Sequence, residues 1–92
     1  MTGHTWGRYD PEVVSSPGEI LEELLEEREM SAIELARRMG RPVRTIKAIL
    51  KGRAPVTMGI AHQLEEILGT PVRFWSNLNQ NYQAYLSREN KQ

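Results

Sequence analysis

The amino-acid sequence predicts an all-α domain of five short helices that follow an N-terminal leader. Three observations support this fold class. Helix starts are marked by serine or threonine close to proline or glutamate, and helix ends are marked by glycine. Apolar residues recur three and four positions apart, which is the spacing of one helix face. No stretch alternates between apolar and polar residues, as a half-buried strand would.

The leader comprises residues 1–15, which contain glycine and proline and show no helical period. We expect it either to be flexible or to be anchored to the body of the protein by Trp6 and Tyr9. Residues 16–92 are predicted to form one domain, because a chain of 92 residues corresponds to a single small folding unit.

The first helix is predicted to begin after Ser16, because Pro17 suits the first helical position and Glu19 completes a capping box. The helical period extends to about Glu29, with glutamates on the solvent side. The predicted core residues of this helix are Ile20, Leu21, Leu24 and Leu25.

Ser31 and Glu34 form a second capping box, which opens the second helix. Gly40 is suited to end this helix, because glycine readily adopts a left-handed conformation. The third helix is predicted to extend from Pro42 to Lys51. Its inward residues are expected to be Ile46, Ile49 and Leu50.

Thr57 is predicted to cap the fourth helix, which ends before Gly69. Its expected core face comprises Ile60, Ala61, Leu64, Ile67 and Leu68. Thr70 and Pro71 repeat the combination of cap and proline at the start of the fifth helix, which covers about residues 70–88.

Composition excludes several functional classes. The chain has no cysteine, which excludes disulfides and a cysteine nucleophile and favours a cytoplasmic location. No apolar run approaches the about 18–20 residues that cross a bilayer, so we expect no membrane partner. His4 and His62 are far apart and belong to no metal-binding motif. We therefore expect no enzyme activity, no metal and no cofactor, with His62 at the surface or partly buried.

The formal net charge is zero, with 12 lysines and arginines against 12 aspartates and glutamates. Taken alone, this sum argues against a nucleic-acid-binding protein. The charges are segregated, however: residues 1–29 carry eight acids and two bases, and residues 30–56 carry seven bases and one acid. Residues 57–92 balance three against three. The neutral sum therefore hides one strongly basic segment.

This basic segment includes residues 31–52, which have the spacing of a helix-turn-helix. The motif needs a small residue where its helices cross, a glycine in the turn and a branched apolar residue in the second helix. Ala36, Gly40 and Ile46 supply these residues in that order. A plain helical hairpin with a solvated basic face is the alternative.

The segment from Pro17 to Leu86 carries a further pattern, most specifically the run Phe74-Trp75-Ser76-Asn77-Leu78-Asn79-Gln80-Asn81-Tyr82. The other residues of the pattern are Pro17, Gly18, Glu19, Ile20, Leu21, Glu34, Leu35, Ala36, Arg37, Arg38, Thr45, Ile46, Ile49, Leu50, Gly52, Thr57, Ala61, Leu68, Gly69 and Thr70. On these residues the chain resembles the Xre/Cro (lambda-repressor-like) helix-turn-helix family, and more narrowly the HigA-type antitoxins of bacterial toxin–antitoxin modules. A similar domain also begins larger proteins that end in an IrrE-like metallopeptidase region.

The resemblance implies a transcriptional repressor that binds double-stranded DNA at a palindromic operator as a homodimer and neutralises a cognate toxin. In this motif the exposed N-terminal residues of the second helix reach base edges in the major groove. The predicted base-reading residues are Val43, Arg44, Lys47 and Ala48. The predicted phosphate contacts are Thr45, Lys51 and Arg53. For each basic residue, plain solvation is the alternative.

The fifth helix is the candidate dimer element, because it carries a continuous apolar and aromatic stripe. The predicted interface residues are Trp75, Leu78, Tyr82 and Tyr85, and the stripe begins at Val72. In the alternative, the stripe covers the core of the monomer, which applies chiefly to Phe74 and Trp75.

Three residues depart from the family pattern. Ala32 replaces a glutamine that, by the resemblance, clamps a phosphate. Arg41 replaces an apolar turn residue, which predicts a more exposed turn. Pro42 replaces the usual cap and begins the third helix without a side-chain cap. These three departures therefore predict that the chain binds DNA more weakly than a typical relative, or prefers a different sequence.

The acidic first helix has two interpretations, a solvated face or a surface for a basic toxin. That surface would include the leader as well as the first helix. The whole chain also has an alternative function, that of a protein-interaction module. Such a module is either a toxin neutraliser with little DNA binding of its own or a stand-alone form of the domain that precedes the peptidase region.

Overall fold

A computed structural model describes residues 15–90, with side chains up to Arg88. Its five α-helices are α1 (Pro17–Glu27), α2 (Ala32–Met39), α3 (Val43–Leu50), α4 (Met58–Leu68) and α5 (Val72–Asn90). The described residues contain no strand, so the predicted all-α fold class is confirmed. Most of the leader, including His4, Trp6 and Tyr9, lies outside the described residues.

The predicted capping signals at α1 and α2 have different outcomes. The Ser16 hydroxyl accepts from the Glu19 amide at 3.2 Å, and the Glu19 carboxylate accepts from the Ser16 amide at 3.1 Å, which completes the first capping box. The Ser31 hydroxyl likewise accepts from the Glu34 amide at 3.0 Å. The Glu34 carboxylate instead accepts from Arg38 at 2.7 Å, so the second capping box is only half formed.

Helix α1 ends at Glu27, two residues before the predicted end. The chain then turns, because the Met30 amide donates to the Leu25 carbonyl at 2.9 Å and Glu29 adopts a left-handed conformation with φ 55°. This conformation is uncommon for a residue with a side chain. The helical period therefore overestimated the length of α1 by about half a turn.

The starts of α4 and α5 also differ. The Thr57 hydroxyl accepts from the Ile60 amide at 3.3 Å and caps α4 as predicted. Helix α5 begins only at Val72, and the Thr70 hydroxyl accepts from the indole Nε1 of Trp75 at 2.8 Å. Thr70 thus satisfies a buried donor inside the fold, a partner that the combination of cap and proline did not predict.

One hydrophobic core joins all five helices. Its buried residues are Leu21, Leu25, Leu35, Ala36, Met39, Ile46, Ile49, Val56, Ile60, Ala61, Leu64, Leu68 and Trp75. Four predicted core residues lie half-buried at its edge: Ile20, Leu24, Leu50 and Ile67. The amide of Asn79 donates to the Val56 carbonyl at 2.8 Å and thereby ties α5 to the loop between α3 and α4. Neither Val56 nor this hydrogen bond was predicted.

Trp75 belongs to this core, and its prediction as a dimer-interface residue is wrong. Its exposed fraction is 0% in a single chain, and the ring of Phe74 packs edge-on against it at 5.0 Å between centroids. A residue with no exposed surface has none to bury against a second chain. The alternative interpretation, in which this part of the stripe covers the monomer core, accounts for Trp75.

The N-terminus of α1 crosses the C-terminus of α3 at very close range. A Cβ atom on Gly18 would lie far inside van der Waals contact distance of the Ile49 carbonyl oxygen and 3.0 Å from the carbonyl oxygen of Leu50. Only glycine allows the two backbones to approach in this way. Gly18 therefore permits the short distance between the N-terminus of α1 and the C-terminus of α3.

We expect Gly18→Ala to lower the free energy of unfolding by about 1–3 kcal/mol, because the clash is with backbone carbonyls that cannot move without moving α3. Urea denaturation followed by circular dichroism measures this change. Gly59→Ala in α4 is the matched control, since its Cβ would meet only an Arg41 nitrogen at 3.5 Å. Equal stability of the two variants would contradict the close crossing.

Candidate nucleic-acid interface

Helices α2 and α3 pack against each other as a helix-turn-helix. Ala36 and Ile46 are 3% and 0% exposed, as the motif requires of its crossing and anchoring residues. Gly40 ends α2 in a left-handed conformation with φ 68°, and the following Arg41 amide donates to the Ala36 carbonyl at 3.0 Å. The predicted roles of these core and turn residues are confirmed.

The turn itself is more covered than predicted. Arg41 is half-buried, and its Nε donates to Oε1 of Gln63 on α4 at 2.6 Å. The Nε2 of Gln63 donates in turn to the Met39 carbonyl at 2.8 Å. The expectation of a more exposed turn is therefore wrong, because a polar residue from α4 replaces the apolar contact. Pro42 precedes α3 without a side-chain cap, as expected.

Helix α3 presents a basic stripe, defined by Arg44, Lys47 and Lys51, which are all exposed. Their separations of three and four positions place them on one face of the helix and its C-terminal cap. Ala48 lies on the same face and is half-buried. Of the predicted base-reading residues, Arg44 and Lys47 thus project furthest into solvent.

Two predicted contact residues of α3 are less accessible than the basic stripe. Val43 is half-buried and packs against the core, and Thr45 is half-buried as well. Both lie in the first turn of α3, where only part of each side chain faces outward. The assignment of particular residues to bases and phosphates stays a prediction.

Arg53 is positioned by the way α3 ends. Gly52 has φ 77°, its amide donates to the Ile49 carbonyl at 3.0 Å, and the Arg53 amide donates to the Ala48 carbonyl at 2.8 Å. This pair of hydrogen bonds is the Schellman arrangement, which closes a helix and satisfies its last carbonyls. The exposed Arg53 side chain therefore leaves the main chain directly beyond the basic stripe.

Ion pairing distinguishes the two helices of the motif. On α2, Glu34 lies 2.7 Å from the guanidinium of Arg38 and 3.9 Å from that of Arg37. Within residues 15–88, no carboxylate lies within ion-pair distance of the stripe residues or of Arg53. The positive charge of α3 is thus available to an external anion, whereas part of that on α2 is already compensated.

The basic stripe has an acidic neighbour. A groove of about 310 Å³ between α1 and α3 is lined by Glu22, Ala32, Lys47, Leu50 and Lys51. Glu22 is exposed, so its negative charge faces the same solvent as the two lysines. The acidic first helix consequently borders the basic face.

His62 is exposed on α4, as predicted. Among residues 15–90, no cluster of acidic or histidine side chains has the arrangement of a metal site. No helix in that part of the chain is sufficiently long and apolar to cross a membrane. The sequence pattern did not single out Gln63, because its partners Arg41 and Met39 are more than 20 positions away.

A helix-turn-helix with an exposed, uncompensated basic second helix defines a class of DNA-binding proteins. The helix-turn-helix family HTH_3 matches residues 21–75, and the chain belongs to this family. Its sequence is 36% identical to the HTH-type transcriptional regulator YddM of Escherichia coli (strain K12) over 62 residues. This alignment spans 67% of the present chain and 66% of that regulator.

Solved structures of HigA-family antitoxins have the same fold. An addiction module antidote protein of the HigA family from Coxiella burnetii superposes with a TM-score of 0.76 at 36% identity, covering 83% of this chain and 84% of that one. The Pseudomonas aeruginosa antitoxin HigA with the higBA promoter gives a TM-score of 0.76 at 29% identity, covering 86% and 90%. The family and these neighbours are DNA-binding regulators and antitoxins, not enzymes.

We expect Glu22→Gln to raise the affinity for duplex DNA about two- to fivefold at low salt, because one negative charge next to the basic stripe is removed. Fluorescence anisotropy with a labelled duplex measures the change, which should shrink as salt is added. Glu66→Gln, an exposed position on α4, is the control. An unchanged affinity for Glu22→Gln would show that DNA does not approach this edge.

Proposed function

We propose that this protein is a transcriptional repressor that serves as the antitoxin of a bacterial toxin–antitoxin operon. It would bind a palindromic operator as a homodimer and neutralise a partner toxin. The observation that carries the proposal is the basic stripe of Arg44, Lys47 and Lys51, which has no carboxylate partner among the described residues. Membership of the helix-turn-helix family and the HigA-family neighbours support it.

In the proposed complex, α3 lies in the major groove and its N-terminal half reads base edges. Arg44 donates two parallel hydrogen bonds to a guanine, since its planar fork matches the O6 and N7 acceptors. Lys47 acts as a single-point donor beside it. Val43 and Ala48, which are both half-buried, would meet thymine methyl groups with the part of each side chain that stays exposed.

The proposed phosphate contacts flank these base contacts. Lys51 and Arg53 lie at the C-terminal end of α3, where the chain leaves the helix, and both are exposed. Thr45 offers a half-buried hydroxyl one residue beyond Arg44. Such contacts fix the orientation of the protein on the duplex and carry no sequence information of their own.

The C-terminal half of α5 supports the proposed homodimer. The helix has 19 residues and is therefore about 28 Å long, yet no residue from Gln80 to Arg88 is buried. Tyr82 and Tyr85 stack there with ring centroids 6.3 Å apart, both half-buried. A second copy would cover these rings and Leu78, which is also half-buried.

A two-fold symmetric dimer of this kind predicts the form of the operator. The two α3 helices would enter successive major grooves about 34 Å apart, so the half-sites would be inverted repeats about one helical turn apart. Each half-site is read weakly by a short helix, and dimerisation combines the two into one specific site.

Toxin neutralisation is the second part of the proposal. We propose that the toxin binds to a surface on α1. A groove of about 510 Å³ is lined by the half-buried Ile20 and Leu24 together with Glu23, Glu26 and Glu27. An apolar floor with an acidic rim complements a basic protein, and the charges would steer the encounter. The same observation favours the alternative function, a protein-interaction module with little DNA binding of its own.

We expect Arg44→Ala to abolish specific binding to the region upstream of its gene and to leave weak non-specific binding. Each half-site loses about 1–3 kcal/mol of base discrimination, and the proposed homodimer incurs this loss twice. A mobility-shift assay at two salt concentrations, with a scrambled duplex for comparison, measures it. Lys51→Ala is the matched control, because losing a phosphate contact weakens binding to both duplexes equally.

A different outcome of this assay would favour the alternative function. If the wild-type dimer shifts no DNA at modest salt and yet co-purifies with a small basic protein encoded beside it, the repressor proposal fails and the protein-interaction module replaces it. Retention of specific binding in Arg44→Ala would refute the role proposed for that residue alone.

We expect the double substitution Tyr82→Ala and Tyr85→Ala to convert the dimer into monomers, because it removes the stacked rings from the proposed interface. Sedimentation equilibrium measures the association state, and circular dichroism verifies that the helices persist. Gln80→Ala, an exposed position on the same helix, is the control and should remain dimeric. A wild-type monomer at micromolar concentration, or an unaffected double variant, would contradict the proposed interface.

A further inference from the structure

The turn of the helix-turn-helix contains Arg41, whose guanidinium forms a hydrogen bond through its Nε but not through its terminal nitrogens within residues 15–88. Arg41 uses its Nε to donate to Gln63 at 2.6 Å, and Gln63 also donates to the Met39 carbonyl at 2.8 Å. One glutamine on α4 thus connects the last residue of α2 to the residue just past its cap. Because the glutamine makes both hydrogen bonds, the Nε end of the guanidinium is restrained relative to α4.

The terminal nitrogens of Arg41 are left without a partner in the described chain. No hydrogen bond from them, and no carboxylate within ion-pair distance, occurs within residues 15–88. Nη2 lies beside Gly59 in the first turn of α4, 3.5 Å from where a Cβ would be. A half-buried cation of this kind has lost part of its hydration, and no carboxylate of residues 15–88 compensates it.

The Arg41 guanidinium belongs to a residue that lies close in sequence to the basic stripe. Arg41 precedes the first residue of α3 by only two positions, and the stripe begins at Arg44. Arg44 is exposed on α3, whereas Arg41 is half-buried and its Nε donates to Gln63. This hydrogen bond restricts how far Arg41 can reach, so the rim of a groove suits it better than the base edges inside.

We propose that Arg41 contacts a DNA backbone phosphate beside the recognition helix and that Gln63 is a positioning residue for that contact. The proposal rests on the proposed DNA-binding function. An arginine fork matches two phosphate oxygens, and Arg41 retains terminal N–H groups to donate. Because Gln63 holds the guanidinium before DNA arrives, less side-chain freedom is lost on binding. The contact would also set the register of α3 in the groove.

A salt titration of the full chain tests the proposal. Affinities of wild type, Arg41→Met, Arg41→Lys and Gln63→Leu are measured by anisotropy on an operator duplex and on an unrelated duplex over a range of NaCl concentrations. Each phosphate contact contributes about −0.9 to the slope of log affinity against log salt. The slope therefore counts ionic contacts, which a purely structural role of the turn would leave unchanged.

We expect Arg41→Met to weaken binding to both duplexes by the same factor, about tenfold for each protomer, and to make the slope shallower by about 0.9 per protomer, or about 1.8 for the proposed homodimer. Arg41→Lys should keep the wild-type slope and lose part of the affinity, since the charge remains and the fork is lost. Gln63→Leu should keep the slope and lose about two- to tenfold, because a mobile arginine must be ordered on binding.

A double variant and a matched control complete the experiment. In the Arg41→Met background, Gln63→Leu should cause no further loss of affinity, since the residue it positions is gone. This double variant also replaces both polar side chains together, which limits the cost of leaving one unpaired. Arg73→Met is the control, because Arg73 is exposed near the start of α5, beyond the opposite end of α4 from Gly59.

The results separate this inference from the function on which it rests. If the wild type binds the operator and Arg41→Met leaves both the slope and the affinity for the unrelated duplex unchanged, the inference is overturned and Arg41 only braces the turn. If Arg73→Met lowers the slope equally, the inference is also overturned. If the wild type binds neither duplex, the proposed function and this inference fail together.

Discussion

The burial of two side chains of α3, Ile46 and Ile49, is the constraint on which the remaining structure depends. A helix of eight residues is too short to be stable alone, so α3 exists only while its apolar side is packed. The two isoleucines are 0% and 1% exposed, held by α2 and α1. Gly18 permits the backbone contact that brings α1 this close. With one side fixed, the opposite side of α3 must face solvent and carry the polar residues.

The charge distribution follows from the same arrangement. The neutral total of the chain is the sum of an acidic N-terminal segment and a basic central segment, and the fold places parts of both along one groove. Glu34 compensates charge on α2, and Glu22 borders the lysines of α3. In the proposed function, long-range attraction to DNA would therefore be moderated, and binding would rely on short-range contacts by a correctly oriented helix.

The region around the turn shows how tertiary contacts replace a family feature. Arg41 stands where the resemblance predicts an apolar residue, and the fold accommodates it because Gln63 on α4 provides an acceptor. The same glutamine satisfies the Met39 carbonyl at the end of α2. A polar brace of this kind holds the turn as an apolar contact would, but it also keeps a positive charge close to the start of α3.

The five helices and much of the helix-turn-helix were predictable because their signals are local. Ser16 with Glu19, Thr57 and the left-handed Gly40 and Gly69 each act within one helical turn, so sequence spacing suffices to detect them. The exposed stripe of α3 followed from helical period for the same reason.

The sequence by itself therefore determined where most helices begin and end and which face of α3 is polar. Only the tertiary structure decided which parts of an apolar stripe are covered and which long-range partners polar side chains find. Trp75 and Tyr82 belong to one stripe, but the first is buried in the core and the second, about two turns further along α5, is only half-buried. Arg41 meets Gln63 across 22 positions. Such outcomes depend on how the helices pack, and periodicity along one helix contains no information about its neighbours.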